Sequence, residues 1–329
     1  MRLRAPFPWF GGKSRAASTV WAALGPVSHY IEPFAGSLAV LLARPPARQN
    51  EPRTETINDA DGFVVNFWRA VRADADAVAQ WCDWPVSELD LTARHLWLVE
   101  RRESMTRQLE ADPDYFDAKI AGWWVWGISA WIGSGWCSGS GPWVRSEAGI
   151  TKEGAGMGVH RQLPHLGDAG RGVHRKAPHL GQTETEVTHE LRALADRLRY
   201  CRLITGDWSR VVTNALLRGG VGGVCGVFVD PPYPEGFDPD GTYGTGCDAD
   251  KIWRDVQEWA EKNGNDPKVR IVIAGYKGTW QPLAGWTERE WSPVMGYASD
   301  ASDRKRERLW CSPSCLSVAA PSLFGAGVG

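Results

Sequence analysis

Residues 227–236 read VFVDPPYPEG, and this stretch limits the fold more than any other. An apolar, β-branched run ends there in one carboxylate and two consecutive prolines. Proline lacks a backbone donor and fixes φ, so neither a strand ladder nor a helix continues through positions 231 and 232. The run is therefore a buried strand that stops on a stiff loop. Open α/β sheets bind ligands at the carboxyl ends of such strands, and Asp230 stands at this one.

The rest of the chain supplies the partners for that strand. Tyr30 and Ile31 start a short strand, 32–37 (EPFAGS) make a turn and 38–43 open a helix. A second strand ends in Thr56-Ile57 and runs into Asn58-Asp59. From 62 to 117 apolar residues recur at helical spacing, as in FVVNFWRAVRAD and LTARHLWLVERRESMTRQLE. Between about 133 and 182 the composition shifts to Gly, Ser, Pro, His and Arg, and GVHRQLPHLG at 158–167 recurs as GVHRKAPHLG at 172–181. Two glycine-rich copies are too few for a solenoid and predict an extended, partly disordered loop. An amphipathic helix follows at 188–200, then strands at 202–205, 224–229 and 269–274, with a helix, DKIWRDVQEWAEKN, before the last. The fold class is α/β. The alternation predicts an α/β domain split into 1–62 and 189–329, enclosing a helical and loop-rich insertion at 63–188.

Bulk properties narrow the function. The net charge of −2 gives no global positive field, so contact with nucleic acid needs a local patch. Seven cysteines without a CxxC pair, in a chain of 329 residues with 43% apolar content, point to a reducing, cytoplasmic compartment rather than a disulfide scaffold. MRLRAPFPWFGGK lacks the apolar core of a signal peptide. Residues 120–144 carry no charge, but tryptophans run through their middle and Gly, Ser and Pro fill their second half. That is a buried aromatic helix ending in a glycine-rich turn, not a membrane span. His160/His165 and His174/His179 repeat without cysteines among them, which is no zinc pattern, and Cys311 and Cys315 read as plain thiols.

The chemistry gathers at three places. The Asp230 carboxylate and the Pro231 carbonyl can each accept one hydrogen of an amino group, drawing its lone pair out of conjugation with a ring. Tyr233 offers a flat face for a planar base. Glu32 to Gly36 follow the first strand, where a glycine turn brings backbone close to a cofactor. Asp59 lies 23 residues beyond Gly36, near the offset of an acid that binds ribose hydroxyls. Phe10 to Ser14 contain GKS, yet a phosphate loop needs glycine where Phe7 stands. A Gly-Gly turn presenting amides and Lys13 to an anionic group, such as an amino-acid carboxylate, remains.

Taken in order, PWFGGK (8–13), EPFAGS (32–37), IND (57–59), NFWRAVR (66–72), ITGDW (204–208) and DPPY (230–233) resemble the D12 class, Dam-like, of DNA adenine-N6 methyltransferases, of phage or bacterial type. The resemblance covers roughly 5–75 and 190–310 and is weaker between. It implies a Rossmann-like, S-adenosylmethionine-dependent methyltransferase sheet with a target-recognition insertion. It also implies methyl transfer by in-line displacement to the N6 amine of an adenine flipped out of double-stranded DNA, without metal or membrane. By the same resemblance Trp9, Gly11, Gly12 and Lys13 hold the methionine end of S-adenosyl-L-methionine. Glu32, Phe34 and Gly36 form the first cofactor loop, and Asp59 binds ribose. Asp207 and Trp208 touch the cofactor adenine, while Asp230, Pro231, Pro232 and Tyr233 form the catalytic tetrad.

Three positions depart from the family pattern. FxGxG loses its last glycine to Leu38, residues 121–139 match loosely where relatives carry a helix and an Asn-Gly turn, and Pro8 stands where GATC-reading relatives often have lysine. The DNA patch falls to Arg145 and to the repeat, where Arg161, Arg171, Arg175 and Lys176 face the single acid Asp168. Most tryptophans read as core of the helical insertion; near the glycine-rich turn Trp136 and Trp143 are candidates to stack on a base or wedge into the helix, a choice the sequence leaves open. Cytosine N4, an RNA adenine, and a catalytically weak DNA-binding relative stay open as alternatives. Neither the recognition sequence nor a companion restriction endonuclease is written in these residues.

Overall fold

The computed structural model describes residues 3–9, 12–46, 53–131, 136–137, 143–146, 149–152, 184–218, 223–234, 248–281, 283–291 and 307–317. In chain order these form α1 (Ala16–Leu24), β1 (His29–Glu32), α2 (Ala39–Leu42), β2 (Thr54–Asp59), α3 (Gly62–Ala73), α4 (Ala75–Cys82), α5 (Glu88–Ala111) and α6 (Ala118–Ala130). There follow β3 (Trp143–Ser146), β4 (Gly149–Lys152), α7 (Glu184–Leu198), β5 (Cys201–Thr205), a 3-10 turn (Trp208–Val211) and α8 (Asn214–Arg218). The last elements are β6 (Cys225–Val229), α9 (Ala249–Asn263), β7 (Val269–Tyr276), β8 (Thr287–Glu290) and β9 (Glu307–Cys311).

Among the described residues seven strands make one sheet in the order β5-β2-β1-β6-β7-β9-β8. The first five are parallel; β9 runs antiparallel to β7, and β8 to β9. Successive side chains of a strand point to opposite faces, and in the central strands β1, β6 and β7 both faces are buried. Tyr30, Phe228, Val272 and Ala274 enter one core with α1, α3 and the tryptophans of α6. Ile31, Val227, Val229, Ile271 and Ile273 enter a second with Trp208, Leu217 and the Trp253–Val256–Ala260 face of α9. That double burial explains why the strands read as continuous apolar runs.

The order reverses direction between β1 and β6, which pair with Ile31 opposite Val227. At such a switch point the loops leaving two neighbouring strands part to opposite sides and open a crevice. Here the loops are 33–38 and 230–234.

Short polar residues set the helix starts. Asp61, Asp74, Ser87, Asp117 and Asp248 each accept a backbone N–H two or three residues on, the N-capping bond that contributes about 1 kcal/mol per helix. Buried Asn66 on α3 fastens α6, its amide donating to the Asp117 carbonyl and its oxygen accepting the Asp117 N–H, each at 2.9 Å. Phe7 packs edge-on to Trp124 of α6 (5.0 Å) and Phe67 of α3 (5.3 Å), tying the N-terminal segment to the helices.

The tryptophans of the helical region are mainly core. Trp136 is 8% exposed, its indole N–H donates to the Trp124 carbonyl at 3.0 Å, and its ring lies against Gly127. It is thus a packing residue rather than a base-stacking one. A Cβ on Gly127 would run into the Trp136 ring. Helix propensity favours alanine by about 1 kcal/mol, whereas overpacking costs about 1–3 kcal/mol. Gly127→Ala is therefore expected to lower stability by up to about 2 kcal/mol net in a urea melt.

Residues 287–290 and 307–311, short and charged, pair as the β8–β9 hairpin that no sequence periodicity had announced. Strands β3 and β4 form a separate antiparallel pair with Arg145 opposite Ile150. The repeat at 158–181, with Arg161, Arg171, Arg175 and Lys176, lies outside the described residues, as do Gly11 and Cys247.

Candidate active site

The loop after β1 is held by the end of β2. The Ala35 N–H donates to the Asn58 carbonyl (2.8 Å), and the Asn58 amide donates to the carbonyls of Pro33 (3.0 Å) and Gly206 (2.9 Å). The Asp59 carboxylate accepts the Gly36 N–H (2.8 Å) and the Asp61 N–H (2.9 Å). Burial raises the Asp59 pKa to about 6, with these backbone donors opposing the rise. The Asn58 side-chain oxygen is buried without a partner among the described residues. Gly36 has φ +45°, and a Cβ there would strike the Trp9 indole, so glycine is required on both counts.

Leu38 occupies the place of the missing family glycine, and it adopts left-handed backbone (φ 57°, ψ 24°) while fully buried. The backbone turn is kept although the residue that makes it easy is absent. Left-handed geometry costs a non-glycine residue about 1–2 kcal/mol, and the buried leucine offsets it, since emptying such a site costs about 2–5 kcal/mol. Leu38→Gly is thus expected to lower stability by about 1–3 kcal/mol in thermal melts rather than raise it.

On the far side of β2, Gly206 (φ 109°) donates its N–H to the Asp59 carbonyl, and Asp207 caps the 3-10 turn by accepting the Ser209 N–H. Trp208 is buried, stacked on Phe34 at 6.0 Å and edge-on to Trp259 at 5.9 Å. Phe34, Asp59, Asp207 and Trp208 therefore share one end of the sheet. Glu32 is buried at the end of β1 and accepts the Tyr30 hydroxyl at 3.0 Å. Burial drives its pKa well up, helped by the charge of Asp230 and opposed by the Tyr30 hydrogen bond.

Beyond β6 the chain makes its stiff turn. Pro231, Pro232 and Tyr233 are buried, while Asp230 keeps 18% of its side chain exposed. The Trp253 indole donates to the Pro232 carbonyl at 2.6 Å and pins the loop to α9. Lys13, delivered by a turn in which the Gly12 N–H meets the Trp9 carbonyl, ion-pairs with Asp230 Oδ1 at 2.9 Å and donates to the Tyr233 hydroxyl at 3.1 Å. Tyr233 in turn donates to the Glu307 carboxylate at 3.3 Å, and its ring lies 4.3 Å from that of Tyr276. With Tyr233 6% exposed, a stacking base has only the remaining edge and face of that ring to meet.

Charge in this cluster is finely divided. Burial raises the Asp230 pKa, and the Lys13 ammonium pulls it back. Burial alone would lower the Lys13 pKa, yet Asp230 and Glu307 outweigh it and hold the value above normal, so the ammonium persists. Burial also lifts Glu307 to about 7, against the pull of Lys13. Glu307, Tyr276 and the buried Trp291, whose ring lies 5.6 Å from the Lys13 ammonium, were not foreseen. The only local signal for Glu307 is a carboxylate heading the apolar run LWC.

Among the described residues no cluster of His, Cys, Asp and Glu could hold a metal ion, and no helix is long and apolar enough to cross a membrane. The carboxyl ends of β1, β2, β5 and β6, with their loops on one crevice, make a Rossmann-like α/β sheet. Residues 9–105 match the family model described as D12 class N6 adenine-specific DNA methyltransferase. That stretch takes in Trp9, Lys13, the 32–36 loop and Asp59, and stops short of Asp207 and of 230–233. No curated protein matches the chain. Among solved structures it is similar to the rRNA methyltransferase aviRa from Streptomyces viridochromogenes, at 15% identity and a TM-score of 0.32, over 92% of this chain and 85% of that one.

Proposed function

We propose that the protein transfers a methyl group from S-adenosylmethionine to the N6 amine of an adenine flipped out of double-stranded DNA. The observation that carries this reading is the juxtaposition of a partly buried, lysine-held carboxylate, Asp230, with a strand-end glycine loop organised by Asp59, at the switch point of the sheet. The residues present fit the cofactor: a tight glycine turn without room for a Cβ, a carboxylate at the ribose end, an unpartnered Asn58 oxygen, and the Phe34–Trp208 aromatic pair. When bound, S-adenosylmethionine supplies a methyl on a sulfonium sulfur, whose C–S electron pair returns to sulfur as the amine lone pair forms the new C–N bond.

The chain's own residues prepare the amine. Lys13 occupies Oδ1 of Asp230, so Oδ2 accepts one amine hydrogen. The Pro232 carbonyl is taken by Trp253, so the second hydrogen goes to the Pro231 carbonyl. Both bonds turn the nitrogen lone pair toward the methyl. Asp230 then takes the proton that the amine sheds and passes it to solvent along its exposed edge. Arg145 and the cations of the repeat loop serve the DNA phosphates in this reading.

The test is mass spectrometry of nucleosides from methylation-free duplex DNA incubated with the protein and S-adenosylmethionine. N6-methyladenine is expected. N4-methylcytosine would move the target base, a methylated product on RNA alone would move the substrate, and cofactor binding without any product would leave a DNA-binding relative.

A further inference from the structure

Glu307 belongs to no motif that pointed to the site, yet the fold delivers it there. Strand β9 pairs antiparallel with β7, Glu307 opposite Tyr276, so the carboxylate arrives beside the Tyr276–Tyr233 ring pair at the carboxyl end of β6. It is 3% exposed and accepts the Tyr233 hydroxyl through either oxygen, at 3.4 and 3.3 Å. Among the described residues the groups that face it are Lys13 from the segment before α1, Asp230 and Tyr233 from the loop after β6, and Tyr276 from β7. Arg308, next along β9, sends its guanidinium instead to Glu288 (2.9 Å) and Glu290 (2.8 Å) on β8. A buried carboxylate is costly unless it is paired and hydrogen-bonded, and here the Tyr233 hydroxyl and the Lys13 charge supply both.

We propose that Glu307 is a positioning residue for methyl transfer, holding Lys13 and Asp230 in place through the Tyr233 hydroxyl and, when ionised, giving the site a net negative charge. The inference rests on the methyl-transfer reading above. Lys13 and Asp230 alone cancel. As the C–N bond forms, positive charge appears on the amine nitrogen beside that neutral pair, and the Lys13 ammonium opposes it. An ionised Glu307 compensates Lys13 and leaves the charge of Asp230 for the substrate. Protonating Glu307 returns the cluster to neutrality, so the rate falls on the acid side of its titration.

The experiment compares the wild type with Glu307→Gln and Glu307→Asp. In the wild type kcat rises with a midpoint of about 7. In Glu307→Gln that limb is lost and kcat at slightly alkaline pH falls roughly tenfold, while KM for S-adenosylmethionine stays within about twofold; Glu307→Asp restores the limb. A limb that persists in Glu307→Gln, or a loss confined to KM, overturns the proposal. A second readout needs no turnover: the infrared band of a protonated buried carboxyl, titrating near neutrality, absent in Glu307→Gln and shifted to higher pH by Lys13→Met. If the wild type methylates DNA but this band is missing or ignores Lys13→Met, the proposal alone fails. If the wild type methylates no nucleic acid, the underlying reading fails, and the catalytic role with it.

Discussion

Asp230→Ala is expected to reduce methyl transfer by roughly three orders of magnitude while leaving the protein folded and able to bind S-adenosylmethionine. The side chain sits at the mouth of the crevice with 18% exposure, and its removal relieves rather than creates a buried acid. Lys13 keeps a neighbouring carboxylate in Glu307, reached through Tyr233, so its ammonium is not stranded. In the proposed mechanism what is lost is the acceptor that aligns the amine and takes its proton, a contribution on the order of 100- to 10,000-fold for a positioned acid or base. Quantifying N6-methyladenine in single-turnover reactions, beside calorimetric cofactor binding, checks both halves. A variant that still turns over within tenfold of the wild type would take Asp230 out of the chemistry.

Lys13→Met is expected to be the most damaging single change for stability, costing about 3–5 kcal/mol at neutral pH and above, because it leaves buried carboxylates without their cation. Lys13 is 4% exposed, and methionine matches its length without its charge. The sign of the pH dependence follows from the three shifts. The Lys13 pKa is raised in the folded state, so its stabilising contribution is complete below the unfolded value of 10.5 and lost as pH passes the raised one. Asp230 and Glu307 are raised as well, so the native state holds protons that the unfolded chain releases, and stability falls with rising pH across that interval. Removing Lys13 lifts both carboxylates further. The gap in Tm between wild type and Lys13→Met therefore narrows toward mildly acid pH, where the carboxylates are neutral, and widens at alkaline pH. A gap independent of pH would mean that Lys13 acts by packing alone.

Much of the sheet was legible because it is buried on both faces. Strands β5, β6 and β7 read as apolar runs ending in turn residues, and α7 and α9 read from their helical spacing. The loop at 32–37 and the stop at 230–233 were legible for a local reason: glycine and proline dictate backbone there whatever surrounds them. The β8–β9 hairpin was not, since TERE and ERLWC are short, charged and without period. Helix α1 and the tight bend at Leu38 also escaped, the latter because nothing local in leucine favours a left-handed turn. The pattern showed a missing glycine; the structure shows the turn preserved by burial.

The sequence by itself determined the class of fold, the strand ends at the crevice, and the carboxylate Asp230 that stands at one of them, because these follow from the periodicity of buried strands and from residues with strong backbone preferences. Only the tertiary structure decided how that carboxylate is charged. Lys13, Asp230, Tyr233 and Glu307 are separated by as many as 220 positions between hydrogen-bonded members, and they meet because the parallel sheet reverses its order between β1 and β6 and then sets the reversed strand β9 between β7 and β8. Electrostatic coupling depends on distance and burial, and neither is a property of the order of residues along a chain.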